Sequence, residues 1–312
     1  MFNITLLKHL LKLLVTMSCF LVIGWKINFD EIIILAKLIS IKTIIISIFI
    51  FIAHYFAVSL RWQFYVNSMN FYISFRNTIK LVSIGLLANQ LFFGSIAMDG
   101  IRVMYLNKKT SFTIALGSVF LDRYVAFHTM WVLLVLVFMF DNSFSNKYFI
   151  NNTIILICWG GLTSLILLFI KNINFYKSSK LMKFLYSVSE GFICTFKNFK
   201  NFTLVYMSSF FILLSSGIVT WLITIDLGIQ ISFLPVLIVT LLGILISAIP
   251  ISINGWGIRE ISFISLLGSM NISNEKSVLI SVIFGLILLT SSVLGIFFYL
   301  LIPEDNKEKF VI

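Results

Sequence analysis

Long apolar runs alternate with short polar connectors along most of this chain. Each run is about 20 residues long, which is the length a helix needs to cross the hydrocarbon layer of a bilayer. The runs lie near residues 10–25, 43–60, 81–98, 114–140, 151–170, 202–225, 234–253 and 277–301. The first run lacks a small-x-small cleavage site, so we interpret it as a retained helix and not as a signal peptide. The pattern predicts an all-α, polytopic membrane protein.

Two of these runs contain polar or helix-breaking residues and continue directly into a polar turn. The run 81–98 carries Asn89 and Gln90 and continues into "DGIRVMYL"; the run 234–253 carries two prolines and continues into "NGWGIRE" and a short apolar piece. This order of limb, turn and short returning limb is typical of a re-entrant hairpin, whose irregular backbone must be buried in protein or line a wet cavity. We therefore predict about six transmembrane helices and two re-entrant helical hairpins.

The distribution of positive charge favours this topology. With two hairpins and a cytoplasmic N-terminus, the inside connectors hold 16 Lys and Arg residues and the outside connectors hold 6. An eight-crossing alternative gives 14 against 8, so the positive-inside rule favours the hairpins and places both termini in the cytoplasm. The hairpins then enter from opposite sides, which is the plan of a possible inverted repeat.

Composition narrows the class of function. The chain is 60% hydrophobic and 11% charged, and its net charge of +11 lies in connectors, which indicates contact with the membrane surface and not with nucleic acid. The three cysteines and three histidines are dispersed, so we expect no metal and no cofactor. No polar stretch is long enough for a water-facing catalytic domain. We predict one integral membrane domain over 1–312, with a core of about 10–301 and a polar tail at 303–312.

The connector at about 174–201 is the longest between two runs. Apolar residues recur in it at helical spacing, and lysines mostly occupy the other positions. This pattern predicts an amphipathic helix in the cytoplasmic interface. A solvated loop is an open alternative.

Ionisable residues stand in or beside the apolar runs as sequence neighbours of opposite charge: Asp99 with Arg102, Asp122 with Arg123, and Arg259 with Glu260. A charge inside the bilayer is costly, so such residues usually pair or line a wet cavity. They could be structural ion pairs that fasten the hairpins. Alternatively, the arginines could bind an anionic phosphate, with the carboxylates orienting them or carrying a proton. A further arginine, Arg61, precedes Trp62 at a helix end, and we interpret it as an interfacial anchor.

The segment "PISINGWGIRE" (250–260) combines a turn with one of these charge pairs. Gly255 and Gly257 allow a sharp turn and a close approach of the backbone. The amides that begin the following short helix would favour an anion, so the segment could form the floor of a phosphate site. The alternative is a tight loop at the outer surface.

Four motifs occur in an order and spacing that resemble one family: "SLRWQFYV", "NQLFFGSIAMDGIRVMYL", "VFLDRYVAF" and "PISINGWGIREISF". They are similar to the flippase-like, lysylphosphatidylglycerol-synthase transmembrane family of bacterial and archaeal inner-membrane proteins, over roughly residues 10–300. The family implies re-entrant hairpins and the handling of phosphate-headed lipids, including aminoacylated phosphatidylglycerol, hopanoid and polyprenyl-phosphate-linked species. One departure is that Ala97 and Met98 replace two glycines usual at the first hairpin, where a Phe also replaces a Pro.

The resemblance places the family's charged positions on residues already singled out. Phosphate binding would fall to Arg102, Arg123, Arg259, Gly255 and Gly257, and orientation or proton coupling to Asp99, Asp122 and Glu260. These assignments predict a carrier that translocates an anionic phospholipid or a polyprenyl-phosphate-linked lipid.

Two other classes stay open. One is a membrane glycosyltransferase that uses a polyprenyl-phosphate sugar, with Asp99 or Glu260 as base; the other is a non-catalytic subunit of a lipid- or glycan-modifying complex. Relatives that synthesise lysyl-lipid have an additional soluble aminoacyltransferase domain, which we expect this chain to lack, so a non-enzyme is favoured. A homo-oligomer or a lipid-modifying enzyme is a possible partner.

Overall fold

The computed structural model describes residues 4–91, 94–140, 180–197, 199–249 and 251–303, and single positions at 162, 163, 166, 305, 309 and 310. The described helices are α1 (Ile4–Lys26), α2 (Phe29–Ala36), α3 (Ile41–Ser68), α4 (Phe75–Leu91), α5 (Ser95–Asn107), α6 (Phe112–Phe140), α7 (Lys180–Phe196), α8 (Phe199–Asp226), α9 (Phe233–Ser247), α10 (Ile258–Gly268), α11 (Asn274–Leu294) and α12 (Ile296–Leu301). Two short strands, β1 (Phe71–Tyr72) and β2 (Lys309–Phe310), pair antiparallel. The predicted all-α class is confirmed, and the small ribbon was not predicted.

Four helical segments are long and apolar enough to cross a membrane: Ile41–Ser68, Phe112–Val137, Phe199–Asp226 and Asn274–Leu301. They coincide with four of the predicted spans. The first predicted span forms α1, and its crossing stays a prediction. The predicted span 151–170 lies almost entirely outside the described residues. The protein is therefore a multi-pass membrane protein, and the total of six crossings remains a prediction.

Both predicted hairpin regions are broken helix pairs. Helix α4 ends at Leu91 and α5 begins at Ser95, with Gly94 between them at φ 64°. Helices α9 and α10 are separated by residues 248–257, within which Pro250 lies outside the described residues. A helix of 11 to 17 residues is about 16–26 Å long, shorter than a hydrocarbon layer of about 30 Å. The breaks are where the sequence placed them, while re-entry into the membrane stays a prediction.

The chain divides into two compact units, and neither is a continuous half of the sequence. Unit 1 combines Met1–Ile52, Leu86–Met98 and Leu214–Ile296; unit 2 combines Ala53–Gly85, Asp99–Leu213 and Phe297–Ile312. In unit 1, α10 packs against α9 and α11, and α11 also packs against α2. The rings of Phe51 and Phe284 meet edge-on in its core, with centroids 5.8 Å apart.

The connector that was predicted to be amphipathic forms helix α7, and its apolar face is part of the core of unit 2. Helix α7 packs along α6 and buries Val188 and Phe192 against Tyr65 and Leu121. Because the apolar residues of this segment recur at helical spacing, they lie on one face of the helix. Packing that face against α6 removes them all from water. The alternative of a solvated loop is therefore wrong for residues 180–196, and the positions before 180 lie outside the described residues.

Close packing of α7 on α6 depends on a glycine. A Cβ atom added to Gly191 would lie 2.5 Å from Cδ1 of Leu121, which is fully buried. We predict that Gly191→Ala destabilises the protein by about 1–3 kcal/mol through overpacking, measured as a lower midpoint of thermal unfolding in detergent. Gly100→Ala is the matched control, since a Cβ there meets nothing within 4 Å. Equal midpoints for the two variants would contradict the prediction.

Candidate functional site

One carboxylate in unit 2 is shared by two arginines. We call Arg61, Arg102 and Asp122 the shared-carboxylate cluster. Arg61 Nε donates to Asp122 Oδ1 at 2.7 Å, and Arg102 Nη1 donates to Asp122 Oδ2 at 2.9 Å. All three residues are at most 4% exposed. They come from α3, α5 and α6, so this carboxylate joins three helices.

The cluster carries one positive charge in excess. Two guanidinium groups face a single carboxylate, and Arg61 Nη1 makes its other bond to the uncharged Ser209 Oγ at 3.0 Å. Arg102 lies over the ring of Trp62, 4.8 Å from the ring centroid. Its Nε and Nη2 atoms are buried and have no hydrogen-bond partner among the described residues. Buried charged donors without a partner are costly, so they call for an explanation.

A second ion pair in unit 2 is balanced. Arg123 Nε donates to Asp99 Oδ2 at 3.0 Å, and Arg123 Nη2 donates to Asp99 Oδ1 at 2.9 Å. This is the bidentate geometry in which a guanidinium holds a carboxylate most firmly. The side chains of Arg123 and Asp99 are 35% and 24% exposed, so this pair is less enclosed than the shared-carboxylate cluster.

The ion-pair partners differ from the predicted sequence neighbours. Asp99 pairs with Arg123, and Arg102 pairs with Asp122. Consecutive residues of a helix point about 100° apart, so the neighbouring side chains on α6 reach different residues of α5. A short turn joins α5 to α6, and the pairing order is the one that antiparallel helices produce.

Arg61 was missed as a site residue. The prediction of an interfacial anchor is wrong, because Arg61 is 4% exposed and bonded to Asp122. Two acids and two arginines in "DGIR" and "LDR" already balance, so charge counting did not call for another partner. The available signal was that "SLRW" continues a predicted span directly into "QFYV"; the structure extends this helix to Ser68.

In unit 1, Arg259 and Glu260 form a balanced pair. Arg259 Nη2 donates to Glu260 Oε1 at 2.8 Å, and Ser281 Oγ donates to the same oxygen at 2.9 Å. The Arg259 guanidinium also lies over the ring of Trp256, 4.7 Å from its centroid. A Cβ added to Gly285 would come within 3.0 Å of Arg259 Cζ, so this glycine makes room for the guanidinium. Here the predicted neighbours do pair.

The turn before this pair has the predicted backbone. Gly255 and Gly257 adopt φ values of 76° and 85°, which only glycine adopts readily. Gly257 N–H donates to Glu260 Oε2 at 2.6 Å. The anion at the start of α10 is therefore the protein's own carboxylate in this structure, and the phosphate-binding role of the segment stays a prediction.

The two helix breaks contact each other within unit 1. Asn254, which has φ 49°, donates from Nδ2 to Gln90 Oε1 at 2.6 Å. A Cβ on Gly94 would lie 3.6 Å from Asn254 Cα. Next to this contact, Ile253 N–H donates to Thr16 Oγ1 at 3.0 Å. Side chains thus satisfy polar groups where helix breaks interrupt the backbone bonding.

Spanning helices, paired helix breaks and arginine–carboxylate pairs together define a polytopic membrane protein with ion pairs among its helices. A family model for the lysylphosphatidylglycerol synthase TM region matches residues 9–295. The chain belongs to this family, which confirms the resemblance and indicates a lipid-related function in the membrane. No curated protein matches the chain.

Removing the charge of Asp122 tests whether Arg61 and Arg102 both depend on this carboxylate as their counter-charge. Asp122→Asn leaves two buried guanidinium groups without a counter-charge, so we predict a loss of about 3–5 kcal/mol of stability. Asp99→Asn removes the same charge from a more exposed pair, and we predict a loss of about 1 kcal/mol or less. Thermal unfolding of the purified proteins in one detergent measures both. A larger loss for Asp99→Asn would contradict the prediction.

Proposed function

We propose that this protein is a flippase-like carrier that binds the phosphate of an anionic phospholipid or a polyprenyl-phosphate-linked lipid and moves it across the inner membrane. The observation that carries the proposal is the Nε–Nη2 edge of Arg102. That edge is buried and has no partner among the described residues. The family match supports a lipid as the source of the phosphate.

In the other two site arginines, the Nε–Nη2 edge binds a carboxylate of the protein. Nε and Nη2 of Arg123 hold Asp99, and Nε and Nη2 of Arg259 hold Glu260. Two adjacent oxygens of a phosphate match this edge as well as a carboxylate does. Arg102 therefore has the geometry to bind an anion that none of the described residues supplies.

Access to Arg102 requires a conformational change, because its side chain is fully enclosed. Carriers bind their substrates beside broken helices and expose the site alternately to the two sides. We propose that α4–α5 and α9–α10 are re-entrant hairpins of this kind, with both termini in the cytoplasm. The excess of Lys and Arg in the connectors assigned to the inside supports this orientation.

The remaining predicted site residues have supporting roles in this proposal. Arg123 and Arg259, with the turn at Gly255 and Gly257, would take the phosphate when their carboxylates release them. Asp99 and Glu260 would orient these arginines or carry a compensating proton. Asp122 would do the same for Arg102.

The contacts of Asp99 and Glu260 favour a carrier over a glycosyltransferase. A catalytic base must reach a proton of the substrate. Asp99 is held by both nitrogens of one guanidinium edge, and Glu260 is enclosed by Arg259, Ser281 and the Gly257 amide. Both carboxylates are thus occupied by the protein.

Arg102→Met tests the proposal while keeping a charge-balanced core. The substitution leaves Arg61 and Asp122 as a balanced pair but removes the bond from Arg102 Nη1 to Asp122 Oδ2, so we predict a folded protein whose unfolding midpoint falls by less than that of Asp122→Asn. Transport should fall at least about tenfold, because a charge-assisted hydrogen-bonded contact is lost. The measurement is movement of fluorescent phosphatidylglycerol and of fluorescent polyprenyl phosphate in proteoliposomes.

The matched control is Arg76→Met, which removes an exposed arginine of α4 in the same unit and should leave transport unchanged. Wild-type movement of both lipids by folded Arg102→Met protein would overturn the proposal. A large loss of stability in that variant would instead assign Arg102 a structural role.

A further inference from the structure

A cavity in unit 2 lies apart from the arginine clusters. Its volume is about 140 Å³, and it is lined by Asn77, Lys80, Leu81, Tyr105 and Tyr299. These residues belong to α4, α5 and α12. The cavity thus brings together three segments that are far apart in the sequence.

Two ammonium groups reach the rings that line this cavity. Lys80 Nζ lies 5.3 Å from the centroid of the Tyr299 ring, and no carboxylate within the described part of the chain forms a salt bridge with it. Lys109 Nζ donates to the Tyr105 hydroxyl at 2.8 Å and lies 4.5 Å from the centroid of that ring. Lys80 therefore supplies positive charge beside the tyrosine walls of the cavity, whereas Lys109 contacts Tyr105 without lining the cavity.

The chain after α12 is fastened beside the cavity. Asn77 Nδ2 donates to the Asp305 carbonyl at 2.7 Å, and the Asp305 amide donates to Asn77 Oδ1 at 2.9 Å. Strand β2 pairs with β1, placing Phe310 opposite Phe71. Both polar atoms of the Asn77 side chain are thereby bonded. Specific hydrogen bonds thus hold this wall of the cavity in place.

We propose that this cavity binds a phosphate group, with Lys80 as its principal ligand. A lysine binds phosphate as a compact point charge, and the Lys80 ammonium has its aromatic contact on one side while it lines the cavity. Tyrosines carry an apolar ring and a polar hydroxyl, which suits the boundary between lipid and water. The phosphate could be a lipid headgroup or a free anion. The proposal does not rest on the carrier function.

Binding of two probes tests the proposal and distinguishes these sources. Dioctanoyl phosphatidylglycerol and inorganic phosphate are titrated separately against protein in neutral detergent, with native mass spectrometry or thermophoresis as the readout. The Arg102→Met substitution is present throughout and removes the principal contact of the proposed carrier site; any contribution from Arg123 and Arg259 is the same in all the lysine variants. Lys80→Gln should weaken binding about tenfold for the probe that fits.

The matched control is Lys108→Gln, which removes the same charge from an exposed neighbour of Lys109 that does not line the cavity. It should leave binding unchanged, and Lys80→Arg should retain most of it. Weakening for the lipid alone assigns a headgroup site, and weakening for both probes assigns a general phosphate site. Absence of binding, or equal affinities in the Lys80→Gln and Lys108→Gln proteins, would overturn the proposal.

Discussion

The structure of unit 2 depends on the sharing of Asp122 between Arg61 and Arg102. In a medium of low polarity, a buried charge must have a counter-charge within bonding distance. Asp122 provides one for two helices at once, and Arg61 extends the network to a fourth helix through Ser209. Packing of apolar side chains alone leaves helices in lipid little directional preference. These bonds therefore determine how α3, α5, α6 and α8 approach each other.

The two units differ in whether their buried charges are balanced. Arg259 and Glu260 neutralise each other, and further bonds and a ring enclose them. Such a pair is self-sufficient. The shared-carboxylate cluster lacks one negative charge, and a buried ion network is weak evidence for stability even when it is balanced. The excess of positive charge among these three residues supports the binding of the additional anion proposed above.

Much of the fold could be predicted from the sequence because a bilayer restricts the length and the polarity of the helices that cross it. Run length predicted four described spans, and the glycines and polar residues predicted both breaks. The ion pairs depended on the direction in which each side chain leaves its helix, and neighbours in sequence do not share that direction. Arg102 therefore pairs with Asp122 and Arg123 with Asp99, the reverse of the expected pairs. Arg61 is 61 residues from Asp122, and the Lys80 cavity joins three distant segments. Tertiary proximities of this kind have no local signal.

Helix breaks and charges occur together for a physical reason. A break within lipid leaves backbone amides and carbonyls that nearby side chains must satisfy. Glu260 satisfies the Gly257 amide, and Asn254 and Gln90 bond to each other across the two breaks. Arg259 in turn neutralises Glu260. Structural necessity thus accounts for these polar groups one after another, but it does not account for the Nε–Nη2 edge of Arg102, which has no partner among the described residues. A buried guanidinium edge that bonds to none of the described residues supports the ligand proposed for Arg102.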